Sequence, residues 1–321
     1  MIVCRNPLRV SFVGGGSDLP IFANNFEGKS VGFAIKSYTH IALKWSFADE
    51  IILSYRNQER AQSVADIKHN LIRETLKYFS IDRPVEIASF ADIPSYGTGL
   101  GSSSSFVCCL VFAISKLLGQ SLSAQEAAKI GSYIEIELCN SNIGRQDHYL
   151  CSLGGCNELS FRKDQVAVKP VYADQGFVRA LFERSGLYYT AKTRSASETL
   201  SSYNIGNEES KIELLKKSVD LVPGMSEAIA NGGIERAADD IRTYMKLKSE
   251  LSANILDQEI EAIMATAKAC GSVGEKILGA GAGGFLFIIF ETTAAKIKFD
   301  EQSRLFQLPF EVDEIGLTQL S

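Results

Sequence analysis

The chain has 321 residues, of which 45% are hydrophobic and 22% are charged, a composition typical of a folded globular protein with a substantial core. This excludes a disordered or fibrous chain. The 33 Lys and Arg against 38 Asp and Glu give a formal net charge of −5, which disfavours a protein that must neutralise many nucleic-acid phosphates.

The first third of the chain mixes predicted strands with helices. An apolar stripe at helical spacing predicts a helix over residues 66–79, and a polar loop over 92–101 leads into residues 102–118. That last segment is apolar on nearly every face, which predicts a buried helix. Short β-branched or alternating runs predict strands over residues 8–13, 30–36, 39–47, 51–55 and 85–89.

The middle of the chain begins with a helix start signal. Ser123 and Glu126 have the spacing of a capping box, which predicts a helix over residues 124–138. We expect a loop from residue 140 to residue 155. Strands are expected near residues 158–161 and 166–171.

The second half is predicted to be more helical. The strands are bunched along the chain and do not alternate strictly with helices, so the class is α+β and a doubly wound sheet is the weaker alternative. We expect two lobes that divide near residue 172, with residues 1–172 and 173–321 as the two domains. Helices are expected over 208–231, 234–251 and 257–269, and strands over 276–278 and 285–290.

Membrane and metal-centre functions are disfavoured by the residue pattern. The longest apolar run, residues 106–114, is much shorter than the ~20 residues that span a bilayer, and the N-terminus has no signal-peptide pattern. The seven cysteines have no C-x-x-C spacing and the three histidines are far apart. We therefore expect a cytoplasmic protein with reduced thiols, no membrane partner and no zinc site.

The first of three glycine-rich stretches is residues 94–105, which run directly into the predicted buried helix. Glycines let the backbone approach a ligand, and a helix N-terminus offers free N–H groups and partial positive charge, so the stretch predicts a polyphosphate site. The serine hydroxyls can bind phosphate oxygens or Mg²⁺. The spacing matches neither a Walker A loop nor a strict dinucleotide fingerprint, and a flexible turn at a core helix is the alternative.

The second stretch, residues 7–20, is a predicted strand that ends in three glycines followed by Asp18. A carboxylate can accept two hydrogen bonds from sugar hydroxyls, and the glycines leave room for a ring. The same residues also suit a tight turn in which Asp18 bonds to the backbone.

The third stretch, residues 276–285, matches G-x-G-x-x-G, but a strand follows it where a dinucleotide site requires a helix. A glycine loop between two hairpin strands and a loop that leans over bound phosphate both remain open.

Acidic residues between these stretches are candidate catalytic groups. Asp147 lies in a predicted glycine-flanked loop, where it is either a general base or a turn former. Glu135 and Glu137 lie at the end of a predicted helix, where they are either solvated or bound to a metal.

Taken together and in this order, the three glycine stretches resemble the GHMP small-molecule kinase family, and the resemblance covers nearly the whole chain. Residues 97–105 are its most specific part, since they are similar to that family's phosphate loop. The resemblance implies a two-lobed GHMP kinase-like fold with mixed or antiparallel sheets and a deep cleft between the lobes, with ATP as co-substrate and Mg²⁺.

Residues 7–20, 143–149 and 189–197 are more similar to the branch of that family that acts on D-glycero-α-D-manno-heptose 7-phosphate. The resemblance implies transfer of the ATP γ-phosphoryl group to the anomeric hydroxyl of this sugar phosphate, a step toward GDP-heptose and bacterial surface polysaccharide. A kinase for another hexose or hexose phosphate, and a non-catalytic sensor of the same fold, remain the alternatives. A homodimer is left open.

The resemblance also assigns roles to individual residues. Asp147 falls on the catalytic base and Arg9 on its supporting cation, while Ser103 and Glu135 fall on Mg²⁺ ligands. His148 and Arg145 depart from the Gln and Lys that are usual in this branch. The implied ATP-binding residues are Gly97, Gly99, Leu100, Gly101, Ser102, Ser103 and Ser104, and the implied substrate-binding residues are Gly15, Gly16, Ser17, Asp18, Arg194 and Gly281.

Overall fold

A computed structural model describes residues 1–94, 97–163, 165–192, 196–201, 203, 209–252 and 255–321. Over these residues the chain forms two sheets and eleven α-helices. The strands are β1 (Ile2–Val13), β2 (Gly28–Trp45), β3 (Ile51–Ser54), β4 (Gln58–Ala61), β5 (Val85–Ala91), β6 (Cys156–Arg162), β7 (Gln165–Pro170), β8 (Ser185–Tyr189), β9 (Ser272–Ile277), β10 (Phe285–Phe290), β11 (Gln307–Leu308) and β12 (Thr318–Gln319). The helices are α1 (Pro20–Ala23), α2 (Asn70–Tyr78), α3 (Ser102–Leu117), α4 (Ala124–Tyr133), α5 (Gln146–Leu153), α6 (Gln175–Arg184), α7 (Ala196–Ser201), α8 (Glu209–Ala230), α9 (Ile234–Leu251), α10 (Gln258–Cys270) and α11 (Thr293–Ser303).

The larger sheet has the strand order β12-β1-β2-β5-β3-β4, and β6 with β7 extends it from β2. The long strand β2 pairs with β6 through its first residues and with β5 through its last, while β1 follows it along most of its length. This change of partner explains why two separate strands were predicted over residues 30–36 and 39–47. They are one continuous strand.

The smaller sheet is antiparallel, with the order β11-β8-β10-β9. One hydrophobic cluster joins it to the larger sheet, because side chains of β1 and β2 pack with those of α8, α9 and β10. Helix α3 is buried against β1 and β2, as its uniformly apolar sequence predicts. The α+β class with mixed and antiparallel sheets is thus confirmed. The division at residue 172 stays a prediction, and β12 returns from the end of the chain to pair with β1.

Several predicted boundaries were wrong. The loop expected from residue 140 to residue 155 contains α5, whose start has no side-chain cap and so gives no start signal in the sequence. The helix expected over 66–79 is a 3₁₀ turn (Val64–Asp66) followed by α2. The helix expected over 124–138 becomes π-helical over its last residues, Ile134–Leu138.

In the described part of the chain, no helix combines the length and the apolar character that crossing a membrane requires.

Candidate active site

The three glycine-rich stretches meet in one open cleft with a volume of about 280 Å³. A cleft lined by glycine backbone and a few convergent polar side chains is typical of a small-molecule site. The predicted site residues that line it are Arg9, Gly15, Gly16, Asp18, Gly97, Gly99, Gly101, Ser102, Ser103, Ser104, Glu135, Asp147 and Gly281.

Three predicted site residues are not among the residues that line the cleft. The side chain of Leu100 is buried in the core, so its contact with a ligand is limited to the backbone. The hydroxyl of Ser17 lies 2.7 Å from the carbonyl oxygen of Gly14 and accepts from the N–H of Lys29 at 3.0 Å, so it holds the turn together. Arg194 lies outside the described residues.

The phosphate-loop candidate ends at the N-terminus of α3. Gly101 has a left-handed backbone conformation there, and no side chain caps the helix. The first intrahelical bond to this residue comes from the N–H of Ser105, so the N–H groups before it are available to a ligand. The arrangement suits an anion, which the helix dipole also favours.

The third glycine stretch forms the turn between β9 and β10, so the hairpin alternative is correct. The same turn lies against the phosphate-loop candidate. A Cβ atom on Gly279 would be 2.6 Å from Gly99 Cα, and the N–H of Phe285 donates to the carbonyl oxygen of Thr98 at 3.0 Å. Only glycines at both positions permit this contact of backbone on backbone.

Arg9 and Asp147 form a bidentate ion pair at the side of the cleft. Nε donates to Oδ1 at 2.8 Å and Nη2 donates to Oδ2 at 2.6 Å, while Nη1 donates to the carbonyl oxygen of Gly99 at 2.5 Å. The side chain of Arg9 is 1% exposed and that of Asp147 is 25% exposed. Burial lowers the pKa of Arg9, but the ion pair outweighs it and the net pKa is raised.

Asp147 lies in the first turn of α5, where the helix dipole also favours a negative charge. A fixed and partly exposed carboxylate can accept a proton from a ligand in the cleft.

Asp18 is a second carboxylate of the cleft, and it is almost fully buried. Oδ1 accepts from the N–H of Gly16 at 3.0 Å and Oδ2 from the N–H of Gln146 at 2.9 Å. Burial raises its pKa, and the bond from Gln146 counteracts this. The carboxylate thus makes the backbone bonds of the turn alternative and also lines the cleft, and its role toward a sugar stays a prediction.

Glu135 is the third carboxylate, in the π-helical segment. The hydroxyl of Ser103 donates to Oε1, and Oε2 accepts from the hydroxyl of Ser104 at 3.2 Å and lies 2.8 Å from His148 Nε2. Glu137, two residues on, is exposed. The described residues contain no cluster of three or more His, Cys, Asp or Glu able to hold a metal ion. One carboxylate beside a serine hydroxyl fits Mg²⁺, which usually takes one or two protein carboxylates and completes its shell with water and substrate phosphate.

Several residues of the cleft were missed in the sequence, and all belong to segments that gave only a core pattern or no pattern. Tyr244 of α9 donates to the carbonyl oxygen of Gly15 at 3.0 Å, and Tyr203 donates to that of Ala280 at 2.6 Å. Lys248 of α9 also lines the cleft. Nothing in their spacing distinguishes them from ordinary core positions.

Comparison with known families gives two matches along the chain. The GHMP kinases N terminal domain matches residues 67–155, and the GHMP kinases C terminal domain matches residues 225–300. The first contains the phosphate-loop candidate and Asp147, and the second contains the third glycine stretch.

Individual relatives match over most of the chain. The D-glycero-alpha-D-manno-heptose 7-phosphate kinase of Campylobacter jejuni is 28% identical over 305 residues, which cover 90% of this chain and 89% of the relative. A mevalonate kinase of Saccharolobus solfataricus is 27% identical over 224 residues, 67% of this chain and 65% of the relative. The crystal structure of a D-glycero-D-manno-heptose 1-phosphate kinase from Bacteroides thetaiotaomicron has the same fold, with a TM-score of 0.81, 20% identity and coverage of 100% of this chain and 99% of that one. The chain belongs to the GHMP kinase family and is a phosphotransferase with an alcohol group as acceptor.

Proposed function

We propose that the chain transfers the γ-phosphoryl group of ATP to the anomeric hydroxyl of D-glycero-α-D-manno-heptose 7-phosphate, which gives the 1,7-bisphosphate. The observation that supports the proposal is the bidentate pair of Arg9 and Asp147, which lines the same cleft as the glycines of residues 15–16 and 97–101.

Asp147 is the general base in this proposal. Arg9 holds the orientation of the carboxylate through two hydrogen bonds, while its third bond, to the carbonyl oxygen of Gly99, ties the base to the phosphate loop. General-base assistance of this kind contributes about 10²–10⁴-fold to a rate.

The chemical step conserves charge and atoms. A bond forms between the anomeric oxygen and the γ-phosphorus, and the bond from that phosphorus to the β,γ-bridging oxygen breaks, its electron pair leaving with ADP. The anomeric proton passes to the carboxylate of Asp147. Phosphoryl transfer requires mainly in-line positioning and charge stabilisation. In this proposal the glycine stretches at residues 94–105 and 276–285 and the N-terminus of α3 supply both.

GHMP kinases use ATP as co-substrate, and we assign the ATP phosphates to residues 97–104. Ser103 and Glu135 would hold Mg²⁺, because their oxygens are in contact and line the same side of the cleft. The cation would neutralise phosphate charge when bound. Asp18, with the glycines before it, is assigned to the sugar side.

The choice of sugar rests on the Campylobacter jejuni relative, whose match extends over nearly the whole of both chains. Arg194, which lies outside the described residues, is assigned to the sugar's own phosphate, because a guanidinium group suits phosphate geometry.

The experiment that tests the proposal is an ADP-release assay with a panel of acceptors, followed by ³¹P NMR of the product. The panel contains heptose 7-phosphate, heptose 1-phosphate, a hexose 6-phosphate, free hexoses and mevalonate. We expect the highest kcat/KM with heptose 7-phosphate and a new anomeric phosphate signal.

Preference for a hexose phosphate or for heptose 1-phosphate would show that the sugar assignment is wrong. Preference for mevalonate would overturn the sugar site altogether. ATP binding without turnover of any acceptor would favour the sensor alternative.

A further inference from the structure

Lys248 is a buried lysine that lines the cleft and has no part in the reaction as described so far. It is 2% exposed, and its Nζ donates to the carbonyl oxygens of Ile277 at 2.9 Å and Gly279 at 2.7 Å. An ammonium group carries three N–H donors. Among the described residues only these two carbonyls accept from it, so one donor remains for a ligand.

Lys276 shows what a purely structural lysine is like in the same region. It is also buried, but its Nζ contacts three acceptors, the carbonyl oxygens of Ser11 and Phe12 and the hydroxyl of Ser11, at 2.7, 2.9 and 3.1 Å. It is not among the residues that line the cleft. The two lysines therefore differ in two ways that matter for binding a ligand. Only Lys248 lines the cleft, and only Lys248 has fewer than three acceptors among the described residues.

The position of Lys248 indicates which ligand atom is involved. One of its two acceptors belongs to Gly279, the residue that lies against Gly99 of the phosphate loop. Arg9 and Asp147 are close enough to affect its charge. The free donor thus lies beside the junction of the phosphate loop and the proposed base, which is where the transferred phosphoryl group must be.

The charged groups that act on Lys248 come from three elements: Arg9 of β1, Asp147 of α5 and Lys276 of β9. Asp18, Tyr203 and Tyr244 line the same cleft. Burial and then the positive charge of Arg9 lower the pKa of Lys248 to about 7. Without ligand, the amine is therefore mostly neutral at pH 8 and mostly charged at pH 6. A bound phosphate favours the charged form.

We propose that Lys248 donates its third N–H to a non-bridging oxygen of the ATP γ-phosphoryl group and takes up a proton from solvent when ATP binds. The inference rests on the proposed function, since it requires ATP in this cleft. A cation at this oxygen stabilises the charge of the phosphoryl group during transfer, so Lys248 is a further catalytic residue.

Proton uptake is measured by titration calorimetry of MgATP binding without acceptor, in buffers of different ionisation enthalpy. At pH 8 the nucleotide itself is already deprotonated, because the second phosphate pKa is about 6. We expect wild-type protein to take up about 0.5–0.9 proton per bound MgATP at pH 8 and about 0.1 at pH 6. MgADP, which lacks the γ-phosphoryl group, should give a smaller uptake at pH 8.

One variant and its control test whether Lys248 takes up the proton that is measured on MgATP binding. Lys248→Arg carries a permanent charge and should bind MgATP with no uptake at pH 8. Lys246→Met, on the exposed side of the same helix, should keep the wild-type value. The comparison of pH 6 with pH 8 needs only wild-type protein, so it stands even if a variant is poorly folded.

MgATP binding at pH 8 without proton uptake would overturn this inference and leave the proposed function intact. Uptake that survives in Lys248→Arg, or that is equal for MgADP, would also overturn it. Wild-type protein that binds no nucleotide would instead refute the proposed function.

Discussion

Two carboxylates of the cleft, Asp147 and Glu135, have contrasting surroundings. Asp147 is a quarter exposed and is paired with the permanent charge of Arg9 by two hydrogen bonds. Glu135 is nearly buried, and the partners recorded for it in the described residues are two serine hydroxyls and the His148 ring. The first carboxylate thus has a fixed charge and orientation. The second has serine hydroxyls among its partners, which a cation can displace, so the contrast supports the proposed roles of proton acceptor and cation ligand.

Replacing the first carboxylate should have the largest effect. We expect Asp147→Asn to lower kcat about 10²–10⁴-fold, because the amide cannot accept the proton. Affinity for MgATP, measured by calorimetry, should stay within about threefold, since the amide oxygen can still accept from Arg9. Exposed Glu137→Gln is the matched control and should keep wild-type turnover. Near-normal turnover of Asp147→Asn would exclude the base assignment.

Replacing Arg9, the cationic partner of Asp147, tests the contribution of this ion pair to stability. Arg9→Met leaves the Asp147 carboxylate and the carbonyl oxygen of Gly99 unpaired, so we expect the free energy of unfolding to fall by about 3 kcal/mol, at the low end for a buried pair because Asp147 is partly solvated. The free energy of unfolding of both proteins is measured by urea denaturation. The control Arg162→Met removes a surface pair with Glu27 and should cost less than about 1 kcal/mol. Equal losses in the two variants would mean that the buried pair adds no special stability.

The second carboxylate should respond through cation binding. We expect Glu135→Gln to weaken Mn²⁺ binding in the presence of ADP by about 10–100-fold, measured by electron paramagnetic resonance, because an amide is a poorer ligand for a hard cation. The same loss should appear as a higher Mg²⁺ requirement in the ADP-release assay. Unchanged Mn²⁺ affinity would place the cation elsewhere.

The smallest effect is expected for His148→Gln. Nε2 of His148 lies 2.8 Å from Glu135, and Nδ1 is buried without a partner in the described structure. His148→Gln keeps a donor and should change Mn²⁺ affinity by less than about threefold. His148→Leu removes the donor and should weaken it about 10–100-fold. If both variants bind Mn²⁺ alike, His148 does not position the Glu135 carboxylate.

Local pattern was enough to predict α3, the capping box at Ser123 and the strands of the larger sheet, since each follows from hydrophobic periodicity or from a short start signal. It was not enough for α5. That helix has no cap and a weak apolar stripe, so Asp147 was placed in a loop although it lies in a first helical turn.

The contacts of the candidate site depend on distant parts of the chain. Arg9 and Asp147 are 138 positions apart, and Lys248 reaches carbonyl groups some 30 positions away. No local pattern encodes such pairings. The resemblance of the glycine stretches to a known family predicted site residues in all three stretches, but Tyr203, Tyr244 and Lys248 gave no comparable signal.

The contact between Gly99 and Gly279 has a consequence for folding cooperativity. These glycines come from opposite halves of the chain, and nearby Phe12 and Phe287 also pack across the halves, with ring centroids 5.9 Å apart. The proposed nucleotide site therefore forms only when both halves are folded at the same time. Heating should melt the chain in a single transition, and a bound nucleotide should shift that transition as a whole to higher temperature.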